Sequence, residues 1–396
     1  MVHLSFPIKT RQPRIATCPE IAILLCCART QISPVLAEQL SQLITTDINW
    51  EYLLKIAFEQ GLATLVHKNL AQYCAEKIPA SILSRLQEHS QFTLLRNLSL
   101  TRELLDILQL CQTHQIPILP YKGPVLAVLL YDKLSLREFC DLDLIVQPKD
   151  FFRVAELLIE KGYQSTFPAF NDAHEKTYYR YYTELSLNKN QEIYVDLHHA
   201  IAPRYFQFTY QLEDLLEHAE VVDLVGTPVP HLGIEELLVV LCIHGAKDYW
   251  NQLKWICDLS EVLQRYPKLD WNFIWSITTK HGTKRRLLVG LGLAELLLEA
   301  PLPHFIQQKI QSDRESQALI TQVAARLFRH QQPSFFPLLV NKYIFHARLM
   351  DSCSKKFAYC LHYLGHLLNR PVNKYGGGIL QKTALLRKRS SLTSTD

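Results

Sequence analysis

The stretches Leu119-Pro-Tyr-Lys-Gly-Pro124 and Arg137-Glu-Phe-Cys-Asp-Leu-Asp-Leu-Ile-Val146 decide how this chain is expected to fold. In the second stretch aliphatic residues alternate with Asp141 and Asp143, and this period of two predicts a strand with both aspartates on one face. Neighbouring carboxylates repel each other, and one pKa rises unless a cation or a bound ligand compensates the charge. The pair therefore predicts a divalent metal ion.

A third carboxylate lies in Tyr194-Val-Asp-Leu-His-His199, another alternating run, in which Asp196 and His198 share a face. If this strand neighbours the first, three carboxylates converge. Two Mg²⁺ ions about 3.5 to 4 Å apart need several oxygen ligands, which Asp141, Asp143 and Asp196 together would provide. Asp196 is also expected to orient or deprotonate an attacking hydroxyl.

A turn for phosphate is predicted just upstream. Ile116 to Leu119 is typical of a short buried strand and Pro124 to Tyr131 of a helix, so Lys122 and Gly123 fall at a strand-to-helix turn. Helix N-terminal amides and a nearby ammonium attract phosphate, although Pro124 removes one amide donor. Arg137 is a candidate phosphate clamp.

The wider pattern predicts an α+β protein in which a small mixed sheet lies between helical regions. Alternating runs at 183–187 and 192–198 predict a hairpin, and 221–230 predicts one further strand. From the N-terminus, the sequence predicts a helical region at 1–115, an α/β core at 116–232, a helical domain at 233–372 and a flexible basic tail at 373–396.

Composition restricts the classes of partner. A formal charge of +4 over 396 residues is small for a dedicated nucleic-acid-binding protein, so nucleic acid is not the expected partner. The ten cysteines form no Cys-x-x-Cys pair, which favours buried free thiols in a reducing cytoplasm. The apolar run from Leu287 to Ala300 is too short for a membrane span, and no span is predicted.

A helix predicted from Ile234 to Tyr249 carries a polar stripe that includes His244 and Lys247. These two residues are candidate nucleotide contacts, and Tyr249 or Trp250 is a candidate for stacking on a base. The alternative is that the tryptophans belong to the core and that Lys254 and Asp258 form an ordinary i,i+4 pair.

Two further alternatives stay open at this point. His198 fits a contact to the metal or the nucleotide, or a buried histidine with its hydrogen bonds satisfied. The Asp-x-Asp pattern alone also fits an edge strand whose charged face meets water and opposes aggregation. Asp196, Lys122 and Arg137, in that arrangement around the pair, favour a functional site.

A set of motifs in a fixed order resembles the uncharacterised nucleotidyltransferase family, a branch of the DNA polymerase β-like superfamily. These motifs are Lys122-Gly123, Tyr131, Arg137, Asp141-x-Asp143, Asp196-x-His198, His244-Gly245, Trp255, Asp258 and Arg370-Pro371. The resemblance runs from about residue 20 to residue 372. Lys122 and Gly123 occupy the place of the superfamily's Gly-Ser turn over the triphosphate, and the serine is missing here.

The resemblance implies a nucleotidyltransferase core of the small mixed-sheet type. It also implies a reaction: with two Mg²⁺ ions, or Mn²⁺ in their place, held by Asp141, Asp143 and Asp196, an NTP donates its NMP and releases pyrophosphate. ATP is the expected NTP, and the acceptor is a hydroxyl of a small molecule or a protein. The alternative is a non-catalytic module that retains the fold and binds a nucleotide or a partner protein.

Overall fold

The computed structural model describes residues 18–165, 182–206, 208, 210–328 and 335–369. The predicted tail at 373–396 and the Arg370-Pro371 motif lie outside the described residues. Within the described ranges the chain is mixed α and β with one five-stranded mixed sheet, so the predicted fold class is confirmed. No helix in these ranges combines the length and the apolar character that a membrane crossing requires.

The N-terminal region is helical, as predicted. Its helices are α1 (Pro19–Cys27), α2 (Pro34–Leu43), α3 (Trp50–Glu59), α4 (Ala63–Tyr73) and the long α5 (Ala80–Thr113). Side chains cap two of these helices: the Ser33 hydroxyl accepts a hydrogen bond from the Leu36 amide, and the Asn49 side chain accepts one from the Tyr52 amide. Each cap satisfies an amide that the first helical turn leaves unpaired.

The sheet consists of β1 (Ile118–Pro120), β2 (Leu142–Val146), β3 (Gln164–Ser165), β4 (Glu184–Lys189) and β5 (Ile193–His198). Its strand order is β1-β2-β5-β4-β3. Only β2 and β5 are parallel among these pairs; the other neighbours are antiparallel. Helices α6 (Gly123–Tyr131) and α7 (Phe151–Glu160) connect the first strands. The two strands predicted to carry aspartates are therefore adjacent.

The segment predicted as one strand at 221–230 is a hairpin, and that prediction was wrong. After the short helix α8 (Leu212–Glu217), the chain forms β6 (Glu220–Leu224) and β7 (Thr227–His231), which pair antiparallel. Val225 and Gly226 between them have φ of 55° and 82°, the left-handed region that two-residue hairpin turns require.

The C-terminal region is helical, as predicted. Its helices are α9 (Ile234–Lys247), α10 (Leu253–Arg265), α11 (Trp271–His281), α12 (Lys284–Leu298), α13 (His304–Ser312), α14 (Arg314–Leu327), α15 (Phe335–Arg348) and α16 (Cys353–Asn369). Gly282 ends α11 in the left-handed conformation with φ of 60°, a common helix stop.

Two apolar clusters form the core. One cluster joins residues of α1–α4 to residues of α9–α14, so that the two helical regions share a single interior. The other lies between the sheet, α7 and the second half of α5. Because α5 contributes Leu86 to the first cluster and Leu104 to the second, it connects the two.

Gly245 in α9 lies directly against the buried ring of Trp250. A Cβ at Gly245 would stand 2.3 Å from the ring, which is fully buried and cannot move aside. We expect Gly245→Ala to lower the free energy of unfolding by about 1–3 kcal/mol, the usual cost of overpacking. Denaturant unfolding of the purified variant measures this.

Gly292→Ala is the matched control for this prediction. Its Cβ would also meet an atom at 2.3 Å, but that atom is the terminal Cδ1 of Ile320, which can rotate away. An alanine within α12 also gains helix propensity over glycine. An equal loss of stability in the two variants would contradict the prediction.

Candidate active site

The aspartates of β2 and β5 stand opposite each other. In the parallel ladder Asp143 pairs with Asp196, and the next positions pair Leu144 with Leu197. Directly opposite residues on neighbouring strands point to the same face, so Asp143 and Asp196 project together. The predicted convergence of the two strands is confirmed at the level of register.

Asp141 was predicted as the first residue of this strand, but β2 begins at Leu142, so Asp141 lies in the loop immediately before it. The turn that begins α6 packs against this loop: Gly123 has φ of 60°, and a Cβ there would stand 3.3 Å from the Asp141 carbonyl oxygen. The Tyr121 amide also donates to the Asp143 carbonyl at 3.3 Å. The positive φ and the close approach to Asp141 both favour glycine at position 123. The same approach brings the predicted phosphate turn beside the carboxylates.

Lys122 forms a buried ion pair with Asp143. Its Nζ lies 2.9 Å from Asp143 Oδ1, and His198 Nε2 lies 3.3 Å from the same oxygen. Lys122, Asp143 and His198 are 8%, 8% and 2% exposed. The sequence predicted Lys122 as a phosphate ligand; in this structure it neutralises a carboxylate.

The charge state of Asp143 follows from these contacts. Burial by itself raises the pKa of the Asp143 carboxyl, but the Lys122 charge and the hydrogen bonds from His198 and Lys122 outweigh that effect. The pKa of Asp143 is therefore held well below its ordinary value. Asp143 is a carboxylate at neutral pH, as a metal ligand must be.

Two residues on β4 complete this face, and sequence reasoning did not identify them. Ser186 pairs with Asp196 across the hairpin and donates its hydroxyl to Asp196 Oδ1 at 2.6 Å. Glu184 pairs with His198 and places Oε2 3.6 Å from His198 Nδ1. Counting residue pairs outward from the turn at 190–192 would have identified Ser186 and Glu184 as the partners of Asp196 and His198.

Lys247 reaches this face from α9. Its ammonium lies 3.4 Å from Glu184 Oε2 and lowers the pKa of Glu184 to about 2, against the opposing effect of burial. Burial lowers the pKa of Lys247 in turn, but the Glu184 carboxylate outweighs it and raises the pKa above its ordinary value. The structure therefore brings the predicted residue Lys247 to the same face as His198, through Glu184.

His244 lies on the same helix, beside Lys122. Its Nδ1 is 3.4 Å from Lys122 Nζ, and the edge of its ring meets the half-buried Trp255. Burial, followed by the Lys122 and Lys247 charges, lowers the pKa of His244 well below its ordinary value. A neutral imidazole can accept a hydrogen bond from Lys122 Nζ at Nδ1. The predicted residues Lys122, His198, His244 and Lys247 thus lie around Asp143 and Glu184.

Arg137 is held differently from its predicted role as a phosphate clamp. Its Nε and Nη2 donate to Asp258 Oδ1 and Oδ2 at 2.8 and 2.9 Å, and the Tyr131 hydroxyl donates to Oδ1 at 2.7 Å. Asp258 is 1% exposed. Asp258 therefore pairs with Arg137 and not with Lys254, and the triad links α10 to α6 and to the loop before β2.

Tyr249 and Trp250 are core residues, which for Trp250 is the alternative stated above. Trp250 is fully buried, and the Tyr249 ring packs against Phe345 on one side and the Arg326 guanidinium, 3.3 Å from its centroid, on another. Base stacking on these rings is excluded by the packing that surrounds them. His199, which directly follows β5, is also structural, because its Nε2 donates a hydrogen bond to the Tyr182 carbonyl.

Tyr121 marks the centre of the charged face. Burial raises the pKa of its phenol well above the ordinary value, and four carboxylates raise it further: Asp143, Glu184, Asp196 and Asp141. The ring contacts His198 edge-on at 5.4 Å, and Lys122 Nζ lies 4.8 Å from its centroid. Each of the three aspartates predicted as metal ligands thus raises the pKa of the Tyr121 phenol.

A scan against family models matches residues 46–299 to the uncharacterised nucleotidyltransferase model. This match covers well over half of the 396-residue chain. The chain belongs to the uncharacterised nucleotidyltransferase family. No curated protein and no solved structure matches the chain.

Family membership assigns the chain to the transferases and implies a nucleotide substrate. The resemblance stated from the motifs is thereby confirmed over residues 46–299, a shorter range than the 20–372 over which it was expected. The three aspartates, Lys122, Arg137 and the polar residues of α9 all fall inside the matched range.

The carboxylates of this site suit a hard divalent cation. Asp143 and Asp196 face the same way, Asp141 precedes them, and carboxylate oxygens are the ligands that Mg²⁺ prefers. Within the described ranges, however, no three His, Cys, Asp or Glu side chains already stand together as a metal cage. The cation in contact with Asp143 is the Lys122 ammonium. The residue types fit the metal. At Asp143, the Lys122 ammonium would compete with the metal for the carboxylate.

Proposed function

We propose that this protein is a Mg²⁺-dependent nucleotidyltransferase that transfers NMP from an NTP, with ATP as the first candidate, to a hydroxyl acceptor and releases pyrophosphate. The observation that carries the proposal is the in-register pairing of Asp143 with Asp196 beside the Lys122–Gly123 turn. Asp141, Asp143 and Asp196 would hold the metal, which supplies charge neutralisation at the transferring phosphoryl group.

The protein's own groups have distinct roles in this proposal. The start of α6 and the Lys122 ammonium would bind the phosphates, because helix N-terminal amides and a cation attract them. Asp196 would take the proton of the acceptor hydroxyl as that oxygen bonds to the α-phosphorus and the bond to pyrophosphate breaks. Ser186, which donates to Asp196 Oδ1, would orient the carboxylate. His198, His244 and Lys247 would line the nucleotide.

The ten cysteines, all of which lie in the described ranges, are free thiols there. Most are buried, and burial raises the pKa of Cys27, Cys242 and Cys257 above the ordinary thiol value. We propose the reducing cytoplasm as the location of the protein, which free buried thiols support.

Calorimetry of ATP binding with and without Mg²⁺ tests the proposal. We expect wild-type protein to bind ATP more tightly with Mg²⁺, and Asp143→Asn and Asp196→Asn to lose about tenfold or more of that gain, since each removes a charged ligand. Asp223→Asn, on the exposed β6–β7 hairpin, serves as the control. Equal Mg²⁺-dependent binding in all four proteins would rule out the metal site.

Labelled ATP identifies the acceptor class. Incubation of the protein with a cell lysate and α-labelled ATP would give labelled protein bands for a protein hydroxyl and labelled small molecules for the other class. Binding of Mg²⁺·ATP without any transferred label in either fraction would favour the non-catalytic, nucleotide-binding alternative.

A further inference from the structure

Lys122 and Asp143 make a closed pair at the centre of the proposed site. Lys122 Nζ and His198 Nε2 both donate to Asp143 Oδ1, at 2.9 and 3.3 Å, and the lysine and aspartate are almost fully buried. A buried carboxylate needs a compensating cation, because an isolated ionised group away from water is strongly destabilised. Lys122 meets this need.

Lys122 also has a second partner that does not belong to the carboxylates. His244 Nδ1 lies 3.4 Å from Nζ on the opposite element, α9. The ammonium can only donate hydrogen bonds, so His244 Nδ1 is the acceptor, and this contact does not require Asp143. The ammonium therefore keeps one acceptor when it leaves the carboxylate, at the N-terminal end of α6 where a phosphate is attracted.

We propose that Lys122 is an internal counter-ion that couples the binding of metal and nucleotide. A divalent cation at Asp143 replaces the ammonium, and the released ammonium then pairs with the nucleotide's phosphates. The two ligands therefore favour each other: the metal frees Lys122, and phosphate holds Lys122 away from Asp143. This inference rests on the proposed function and adds the order of events within that site.

The coupling has a sign that a merely structural lysine would not produce. Removing the Lys122 charge takes away a competitor for the metal and, at the same time, a ligand for the phosphate. The same substitution is thus expected to tighten metal binding and to weaken nucleotide binding. Coupling energies between two ligands correspond to about 5- to 150-fold changes in affinity, so both effects are measurable.

The test uses Mn²⁺ as the probe metal, measured by electron paramagnetic resonance in the absence of nucleotide, for full-length wild type and Lys122→Met. We expect Lys122→Met to bind Mn²⁺ about tenfold more tightly and, at saturating Mn²⁺, to bind ATP about tenfold more weakly. Lys189→Met is the matched control, because Lys189 also pairs with a carboxylate at 2.9 Å, that of Glu103, but near the surface. It should leave both affinities unchanged.

Because Lys122→Met removes the cation beside Asp143, the folding of this variant is followed by thermal unfolding with and without Mn²⁺. Added Mn²⁺ should raise the melting temperature of Lys122→Met by more than that of wild type. Lys122→Gln, which keeps a hydrogen-bond donor without the charge, provides a second uncharged variant for the same measurements. Mn²⁺ affinity no greater than wild type in both variants would overturn the coupling.

The Asp143→Asn variant separates the two proposals. If Asp143→Asn loses Mn²⁺ binding while Lys122→Met and Lys122→Gln gain none, the metal site stands and the counter-ion role is wrong. If Asp143→Asn binds Mn²⁺ as wild type does, the proposed metal site itself is wrong.

Discussion

Replacing Asp258 by alanine is expected to cost about 3–5 kcal/mol of unfolding free energy, because it leaves the Arg137 guanidinium buried without its partner. Arg137 is 6% exposed and Asp258 1%. The Tyr131 hydroxyl, which also donates to Asp258, loses its acceptor too. Urea or guanidinium denaturation of Asp258→Ala measures the loss.

An exposed ion pair provides the control for this prediction. Asp132 binds Arg265 through two contacts of 2.6 Å, but the Asp132 side chain is 64% exposed. Surface pairs contribute about 0–1 kcal/mol, so Asp132→Ala should cost far less than Asp258→Ala. A double variant, Arg137→Met with Asp258→Leu, should recover much of the loss because no charge remains buried. Similar costs for the two single variants would show that the buried pair is not the larger contribution.

The second large effect is a pH dependence that arises from His346 on α15. Its Nε2 donates to the Ala246 carbonyl at 3.1 Å, and the Tyr359 hydroxyl lies 3.4 Å from its Nδ1, so both nitrogens are used by the neutral ring. Burial, then the Lys342 and Arg286 charges, lowers the pKa of His346 to about 3. In the unfolded chain a histidine has a pKa of about 6.5.

Between these two pKa values the unfolded state binds a proton that the folded state does not. Stability is therefore greatest above about pH 6.5 and falls as the pH drops toward 3, by about 1.4 kcal/mol per pH unit from this group. In His346→Gln, whose amide can still donate to Ala246, this part of the slope should disappear. Unfolding free energies measured between pH 7 and pH 4.5 give the two slopes.

His304→Gln, on the exposed start of α13, is the control for the change of residue type. Its slope should follow that of wild type. If His346→Gln also keeps the wild-type slope, the acid sensitivity of the protein comes from other groups.

The sequence was sufficient to predict the strand faces of Asp143 and Asp196, but not their neighbours Glu184 and Ser186 on β4. Alternation in β2 and β5 placed each aspartate on the face opposite its aliphatic neighbours, and the parallel register of the structure pairs Asp143 with Asp196. Alternation fixes the face of a side chain because its period in a strand is two. The helical regions followed from three-four spacing in the same way.

The contacts of the charged side chains were not predictable in this way. Lys122 was expected to face phosphate, yet its flexible side chain reaches Asp143, and the pattern of a strand does not specify how far a lysine extends. Arg137 and Asp258 are separated by 121 positions, so no local spacing indicates their pairing. The β6–β7 hairpin was predicted as a single strand because Val225-Gly226 is not one of the usual two-residue turn sequences, such as Asn-Gly or Asp-Gly.

The shared interior of the two helical regions has a consequence for synthesis on the ribosome. Gln60 in the N-terminal region accepts from the Leu253 amide, and Thr30 donates to Glu261, so partners of α1–α4 emerge some 200 residues later. Until α9–α14 are made, the first four helices lack the part of their apolar contacts that those later helices provide. At about 5–20 residues per second this interval lasts roughly 10–40 s, during which the uncovered apolar surface favours aggregation of the nascent chain.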